Sequence, residues 1–290
     1  MKKLSLKNTR KIFPILSLSL LFMSSTELDN PAPKPLVSDM LNNIRDLKSA
    51  QFTIVMKERT DGVLVQKKAF FKIQSHPIKV YIKQEYPNKN MEILYVEGEN
   101  KNKALLSLKK FPYMVLNLDP LGNTMRNGQH YSVMKAGFDF FVEIIDHLFE
   151  KYREELGQML KYEGIVKYNN VVCHKIVFEN PYFKYLPYKV SGNETLEDIS
   201  WKLLVSDYMI LEYNPAVKSF ENLDPDMELM VPCDFAKTII LYIDEVNHLP
   251  VGIKTFDDKG LFDEYNYENI VLNPDFKPVD FDRNNPDYRF

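Results

Sequence analysis

The chain has few cysteines, few histidines, no surplus of positive charge and no long hydrophobic run beyond its first segment, and each shortage removes a class of function. Cys173 and Cys233 are all there is for a disulfide framework. A chain of 290 residues buries a core without covalent staples, so both thiols are expected to be buried and free. The five histidines, His76, His130, His147, His174 and His248, show no HxxxH spacing, which leaves no paired-histidine zinc motif. Basic side chains number 37 against 40 acidic ones along the whole length, so nothing marks a nucleic-acid footprint. Glu143, Asp146 and Glu150 on a helical stretch, and Asp257, Asp258 and Asp263 near a turn, read as solvated carboxylates. No acid/base pair stands out, so no catalytic residue, metal or cofactor is expected.

What is present begins with Lys2, Lys3, Lys7, Arg10 and Lys11, an uncharged apolar run from Ile12 to Met23, and the small residues Ser24, Ser25 and Thr26. That order of parts is a signal peptide's, here residues 1–26. The run is interrupted by Pro14 and falls short of the ~20 apolar residues that a membrane span needs. No cysteine follows it for lipid modification, and no later stretch reads as a transmembrane helix. The mature protein is expected in the periplasm of a Gram-negative envelope, starting with a proline-containing linker over 27–35.

Glycine is scarce at ten while phenylalanine and tyrosine reach 19 and 17, a balance that favours strands. Val37, Met40, Leu41, Ile44 and Leu47 predict one amphipathic helix. From Phe52 to Leu118 the period becomes two, broken by turn signals such as Asp61-Gly62 and Pro87-Asn88, which predicts an antiparallel meander. A long helix is expected over 133–161, where Phe138, Phe141, Ile145, Leu148, Tyr152, Leu156 and Met159 form one stripe. Strands return at 165–168, 171–178, 237–243, 251–256, 262–267 and 270–272.

Between the second and third of these lies a segment with a different grammar. Tyr188 to Ser191 reads as a strand; Thr195, with Asp198 three residues on, forms a capping box before a helix; Ser206 precedes a second helix ending at Asn214-Pro215; and Leu229 to Val231 closes with a strand. The stretches YKVSGNETLEDIS, VSDYMILEYNP and LDPDMELMVP resemble the LysM module in order. The resemblance implies binding of peptidoglycan or a chitin-like N-acetylglucosamine glycan between two loops, Asn193, Glu194, Thr195 and Leu196 in the first and Leu223, Asp224, Pro225 and Asp226 in the second. Asn193, Leu204 and Asp226 replace glycines of that pattern and Met227 replaces a glutamine.

With this insert (185–232) lifted out, residues 36–182 and 233–290 form the host, and the strands at 171–178 and 237–243 become hairpin neighbours, which places Cys173 far from Cys233. The stretches MEILYVEGENKNKALL, LNLDPLGNTMRNGQH and IILYIDEVNHLPVGIKTFDDKGLFDEYNYENIVLNP resemble a family of exported proteins assigned to the LolA-like, lipoprotein-carrier-like fold. The expected class is therefore α+β, a curved antiparallel half-barrel covered by helices, with a βααβ unit inserted. The resemblance implies a groove for a lipid or lipoprotein acyl chain. Phe52, Ile54, Phe71, Ile73, Val80, Ile82, Phe138, Phe141 and Ile145 are its candidate lining, with a solid core as the alternative. Arg126 and His130 in the loop before the long helix are candidates to meet an anionic headgroup. The reading is a non-enzymatic envelope protein; its rivals are an enzyme or accessory factor of cell-wall metabolism targeted by the insert, and a structural protein-binding component.

Overall fold

The computed structural model describes residues 31–89, 91–108 and 113–290, so the leader lies outside the described residues. The first element, α1 (Pro33–Arg45), turns Val37, Met40, Leu41 and Ile44 inward at helical spacing. It starts within the expected linker, because Pro33 and Pro35 sit in the first turn, where a backbone N–H has no helical partner to lose. Two strands follow, β1 (Ser49–Thr60) and β2 (Val63–Gln74), joined at Asp61-Gly62, whose φ values of +50° and +78° suit a tight hairpin. Continuing outward are β3 (Lys79–Tyr86), β4 (Glu92–Val96), β5 (Ala104–Leu108) and β6 (Met114–Leu118). The chain then leaves the sheet through α2 (Asn123–Arg126).

The expected long helix is broken. A 3-10 turn at Val133–Lys135 leads into α3 (Asp139–Lys151), and after a turn comes α4 (Leu156–Met159), where the backbone extends directly into β7 (Leu160–Tyr168). Six of the stripe's seven residues, Phe138, Ile145, Leu148, Tyr152, Leu156 and Met159, are buried, and Phe141 is half-buried. What ends α3 is tertiary: the Tyr152 hydroxyl donates to Asp234 Oδ2 at 2.6 Å, and Leu160 pairs with Phe178 across the sheet.

Next come β8 (Val171–Glu179), β9 (Tyr185–Lys189), α5 (Leu196–Leu203), α6 (Asp207–Tyr213), β10 (Glu228–Pro232), β11 (Thr238–Asp244), β12 (Pro250–Asp257) and β13 (Gly260–Leu272). β13 replaces two expected strands. The break read after Tyr267 is an irregularity within it, with Asn269 at φ +55° opposite the register shift at Gln51/Thr53.

Eleven strands form one curved antiparallel sheet in the order β6-β5-β4-β3-β2-β1-β13-β12-β11-β8-β7. Its centre is the pairing of β1 with β13, which joins the two meanders. α1 and α3 pack on one face over the main apolar core. The chain end, through the 3-10 turn Pro278–Phe281 to Phe290, packs on the other face against Tyr81, Leu94 and Leu105. β8 pairs with β11, Glu179 opposite Thr238, and both cysteines are free; Cys173 is buried, whereas Cys233 is only half-buried.

β9 and β10 pair only with each other, and with α5 and α6 they enclose a second apolar cluster. The α5 capping box is formed: Thr195 Oγ1 accepts from Asp198 N at 3.1 Å while Asp198 Oδ2 accepts from Thr195 N at 2.8 Å. Ser206 caps α6 through Met209 N. Phe262, at the β12–β13 turn, enters this second cluster, and residues 31–290 together form one compact unit.

Candidate functional site

Alternation along β1 puts Phe52, Ile54, Met56 and Glu58 on one face of the sheet. Register extends each across its neighbours. Phe52 faces Phe71, and Ile54 stands between Ala69 and Tyr267. Met56 stands between Lys67 and Tyr265, and Glu58 beside Asp263, which faces Thr255. Polarity therefore rises rung by rung toward the β1–β2 turn. This face does not close onto α3 completely; a cavity of about 470 Å³ remains, within the ~300–1,000 Å³ range of small-molecule sites.

Phe52, Ile54, Phe71, Ile82 and Phe141, five of the nine candidate lining residues, do line it. Ile73, Val80, Phe138 and Ile145 do not; they are buried in the adjoining core. The exposed members of the lining, Val65, Pro87, Asn88, Thr124 and Asn127, lie at the polar end, so the cavity meets the surface there.

The polar end is a closed set of hydrogen bonds. Lys67 Nζ donates to Glu58 Oε2 at 2.5 Å, to Gln129 Oε1 at 3.0 Å and to the Gly128 carbonyl. Tyr265 donates to Glu58 Oε1 at 2.5 Å and Tyr131 to Asp263 Oδ2 at 3.0 Å. Burial alone would push the Glu58 carboxyl up, but His130 and Lys67 outweigh it and hold it below the ordinary carboxylate value. Burial pushes Tyr131 and Tyr265 well above the ordinary phenol value, aided by Asp263 and Glu58 respectively. Both hydroxyls stay protonated donors. Asp263 Oδ1 is buried with no hydrogen-bond partner among the described residues. The expectation that Asp257 and Asp263 are solvated turn carboxylates is thus corrected: the side chains of both are 0% exposed, the first holding Arg59 Nη1 at 3.0 Å.

Arg126 and His130 are corrected as well. Arg126 is 1% exposed, forked onto Asp207 at 2.8 and 2.9 Å, with Glu197 Oε2 at 3.2 Å. Lys135 joins the cluster, donating to Ser200 Oγ at 2.8 Å. These bonds lock α5 and α6 to the loop that precedes α3, and no fork is left for a headgroup. His130 is fully buried, stacked between Tyr208 and Phe262, with Nε2 donating to the Arg59 carbonyl at 2.8 Å and Nδ1 3.4 Å from Asp263 Oδ2.

The two loops of the βααβ segment do lie side by side, Leu196 N donating to the Phe220 carbonyl and Asp226 N to that of Val190. Of their eight candidate residues, Asn193, Asp224, Pro225 and Asp226 are exposed. Leu196 and Leu223 are buried in the segment's own core, Thr195 is committed to its cap, and Glu194 is held by Tyr188 and Lys202. Left-handed backbone occurs at Gly192 (φ +59°), not at Asn193, and at Leu204 (φ +53°) and Asp226 (φ +67°).

Sequence reasoning missed Glu58, Lys67, Tyr131, Asp263 and Tyr265. The available signal was phase: a carboxylate two residues beyond Phe52-Ile54-Met56 shares their face.

A family model described as a protein of unknown function, DUF1571, matches residues 47–206 and 228–290. The chain belongs to that family. No curated protein matches the sequence. Among solved structures, the chain is similar to an uncharacterized conserved protein from Thermus thermophilus, at 8% identity over 88% of this chain and 96% of that one, with a TM-score of 0.38. It is also similar to lipoprotein LppX of Mycobacterium tuberculosis (12%, 86% and 98%, TM-score 0.39) and to a LolA superfamily protein from Nitrosomonas europaea (7%, 87% and 98%, TM-score 0.30).

Proposed function

We propose that this protein is a non-enzymatic carrier or binding protein of the cell envelope, a LolA-like half-barrel that holds the acyl chain of a lipid or lipoprotein in the cavity beneath α3. The observation that carries this reading is the polarity gradient along β1, β2 and β13: aromatic and aliphatic rungs in the interior, with Glu58, Lys67 and Asp263 at the end that meets the surface. A chain inserted tail first would bury ~0.8 kcal/mol per methylene, so about twelve methylenes supply ~10 kcal/mol before the entropic cost of ordering. The leader read over 1–26 supports export to a periplasm. Native mass spectrometry of protein purified from its own envelope is expected to show a bound lipid mass. Ile82→Trp, which places a larger ring in the lining at ~1–3 kcal/mol of overpacking, is expected to lose that mass while keeping its strand content. Wild type without a lipid mass after incubation with envelope lipids would refute the reading.

A second reading, glycan binding by the βααβ segment, is favoured by one observation: Leu204 and Asp226, which replace LysM glycines, keep the left-handed backbone that glycine ordinarily supplies. Under it, Asn193, Asp224, Pro225 and Asp226 present loop amides and carbonyls to an N-acetyl group. The protein is then expected to sediment with purified sacculi at moderate salt. Recovery of all the protein in the supernatant would end this reading without touching the first.

A further inference from the structure

The acyl-chain reading leaves open what sits at the cavity's polar end, and the valences there are restrictive. A lysine ammonium has three donors. Lys67 has three acceptors, Glu58 Oε2, Gln129 Oε1 and the Gly128 carbonyl, so none of its N–H groups is free. Behind the lining, His130 directs Nε2 at the Arg59 carbonyl, which can only accept, and Nδ1 at Asp263. Both tyrosine hydroxyls in this set donate to carboxylates. Lys67, His130 and the hydroxyls of Tyr131 and Tyr265 are thus committed as donors, and two buried polar atoms of the lining have no partner among the described residues: Thr60 Oγ1, which can donate or accept, and Asp263 Oδ1, a carboxylate oxygen that accepts.

Asp263 shares the cavity-facing side of β13 with Tyr265 and Tyr267, and all three belong to the lining. A carboxylate oxygen there attracts a donor and repels a second anion. The charged side chains of the lining, Glu58 and Asp263 against Lys67 and Lys135, leave no net positive charge to offset that repulsion.

We infer that the polar end is a headgroup subsite selecting a hydrogen-bond donor, a hydroxyl or an ammonium group carried on an acyl or alkyl chain, with Asp263 as the acceptor that reads it and Glu58, Lys67, Tyr131 and Tyr265 as the frame that holds it. The inference rests on the acyl-chain reading and adds a headgroup class opposite to an anionic one. The donor replaces no existing bond: it completes Asp263 and leaves the Lys67–Glu58 pair intact. A carboxylate or phosphate headgroup would meet Asp263 as a like charge and, unless it broke one of the committed bonds of Lys67, would have neutral hydroxyls such as that of Thr60 in place of its hydration.

The test uses the delipidated full chain at pH 8.5 and three probes of one chain length: monomyristoylglycerol, tetradecylamine and myristate. The glycerol ester or the amine is expected to bind at least tenfold more tightly than myristate, and which of the two leads identifies a hydroxyl or an ammonium source. Equal affinity for all three would mean that only the chain is read and would overturn the subsite while sparing the cavity's function; tighter binding of myristate would do the same. Failure of all three to bind would remove both readings. Asp263→Asn, which turns an acceptor into a donor, is expected to shrink the preference below about threefold, and an unchanged preference in a folded variant would overturn the role of Asp263. Should that variant fail to fold, the wild-type ranking of the three probes still decides.

Discussion

Arg126, Lys135, Glu197 and Asp207 form a cluster of buried charges in which no member can be removed alone without stranding another. Asp207 is pushed up by burial, but Lys135 and Arg126 outweigh that and hold it well below its ordinary 3.8. Glu212, opposite Arg59, and Glu58 are likewise depressed from 4.5 against the pull of burial. A carboxylate whose folded value lies below its unfolded one stabilises above the unfolded value and loses that stabilisation as pH falls. His130 shifts the other way: burial pulls it down, yet Asp263 and Glu58 raise it above 6.5. Its contribution is complete below 6.5 and is lost as pH rises through the folded value. Urea midpoints are therefore expected to peak between about pH 4.5 and 6.5. His130→Asn is expected to flatten the alkaline limb and to remove only the Glu58 share of the acid limb, since Asp207 and Glu212 keep their own cations; an unchanged alkaline limb would refute the assignment.

At the scale of elements, the β12–β13 hairpin ties the two apolar clusters together. Phe262 is 0% exposed, packs with the βααβ core, and stacks on His130 at 4.1 Å between ring centres. Phe262→Ala is expected to cost about 3–5 kcal/mol and to raise amide exchange over 185–232 before it does so in β1 and β2. Uniform loss of protection across the sheet would contradict this. Elements with local chemistry were legible beforehand: the Thr195–Asp198 box, the Ser206 cap, the Asp61-Gly62 hairpin and the β8–β11 neighbours all follow from residues close in sequence or from alternation. The helix expected over 133–161 was not. A stripe at helical spacing constrains which side chains face inward, and the chain met that demand with α3, α4 and the start of β7, because Tyr152 found Asp234 and Leu160 found a strand to pair with.

For the whole molecule, the sequence by itself determined the α+β class, the meanders, the caps, and the face on which Phe52, Ile54 and Met56 stand, since alternation and capping depend on neighbours within a few residues. Of the nine candidate lining positions read from the sequence, five fall on the cavity. Only the tertiary structure decided whether that face enclosed a space or a filled core, since the answer depends on how far α3 approaches a sheet whose centre is the pairing of β1 with β13 from the opposite end of the chain. The same long-range pairing brought Glu58 beside Asp263 and buried both. It also gave Arg126 and His130 to the interface with α5 and α6 rather than to a ligand, because a charge's role is set by the partners it meets in space, and those partners lie far from it along the chain.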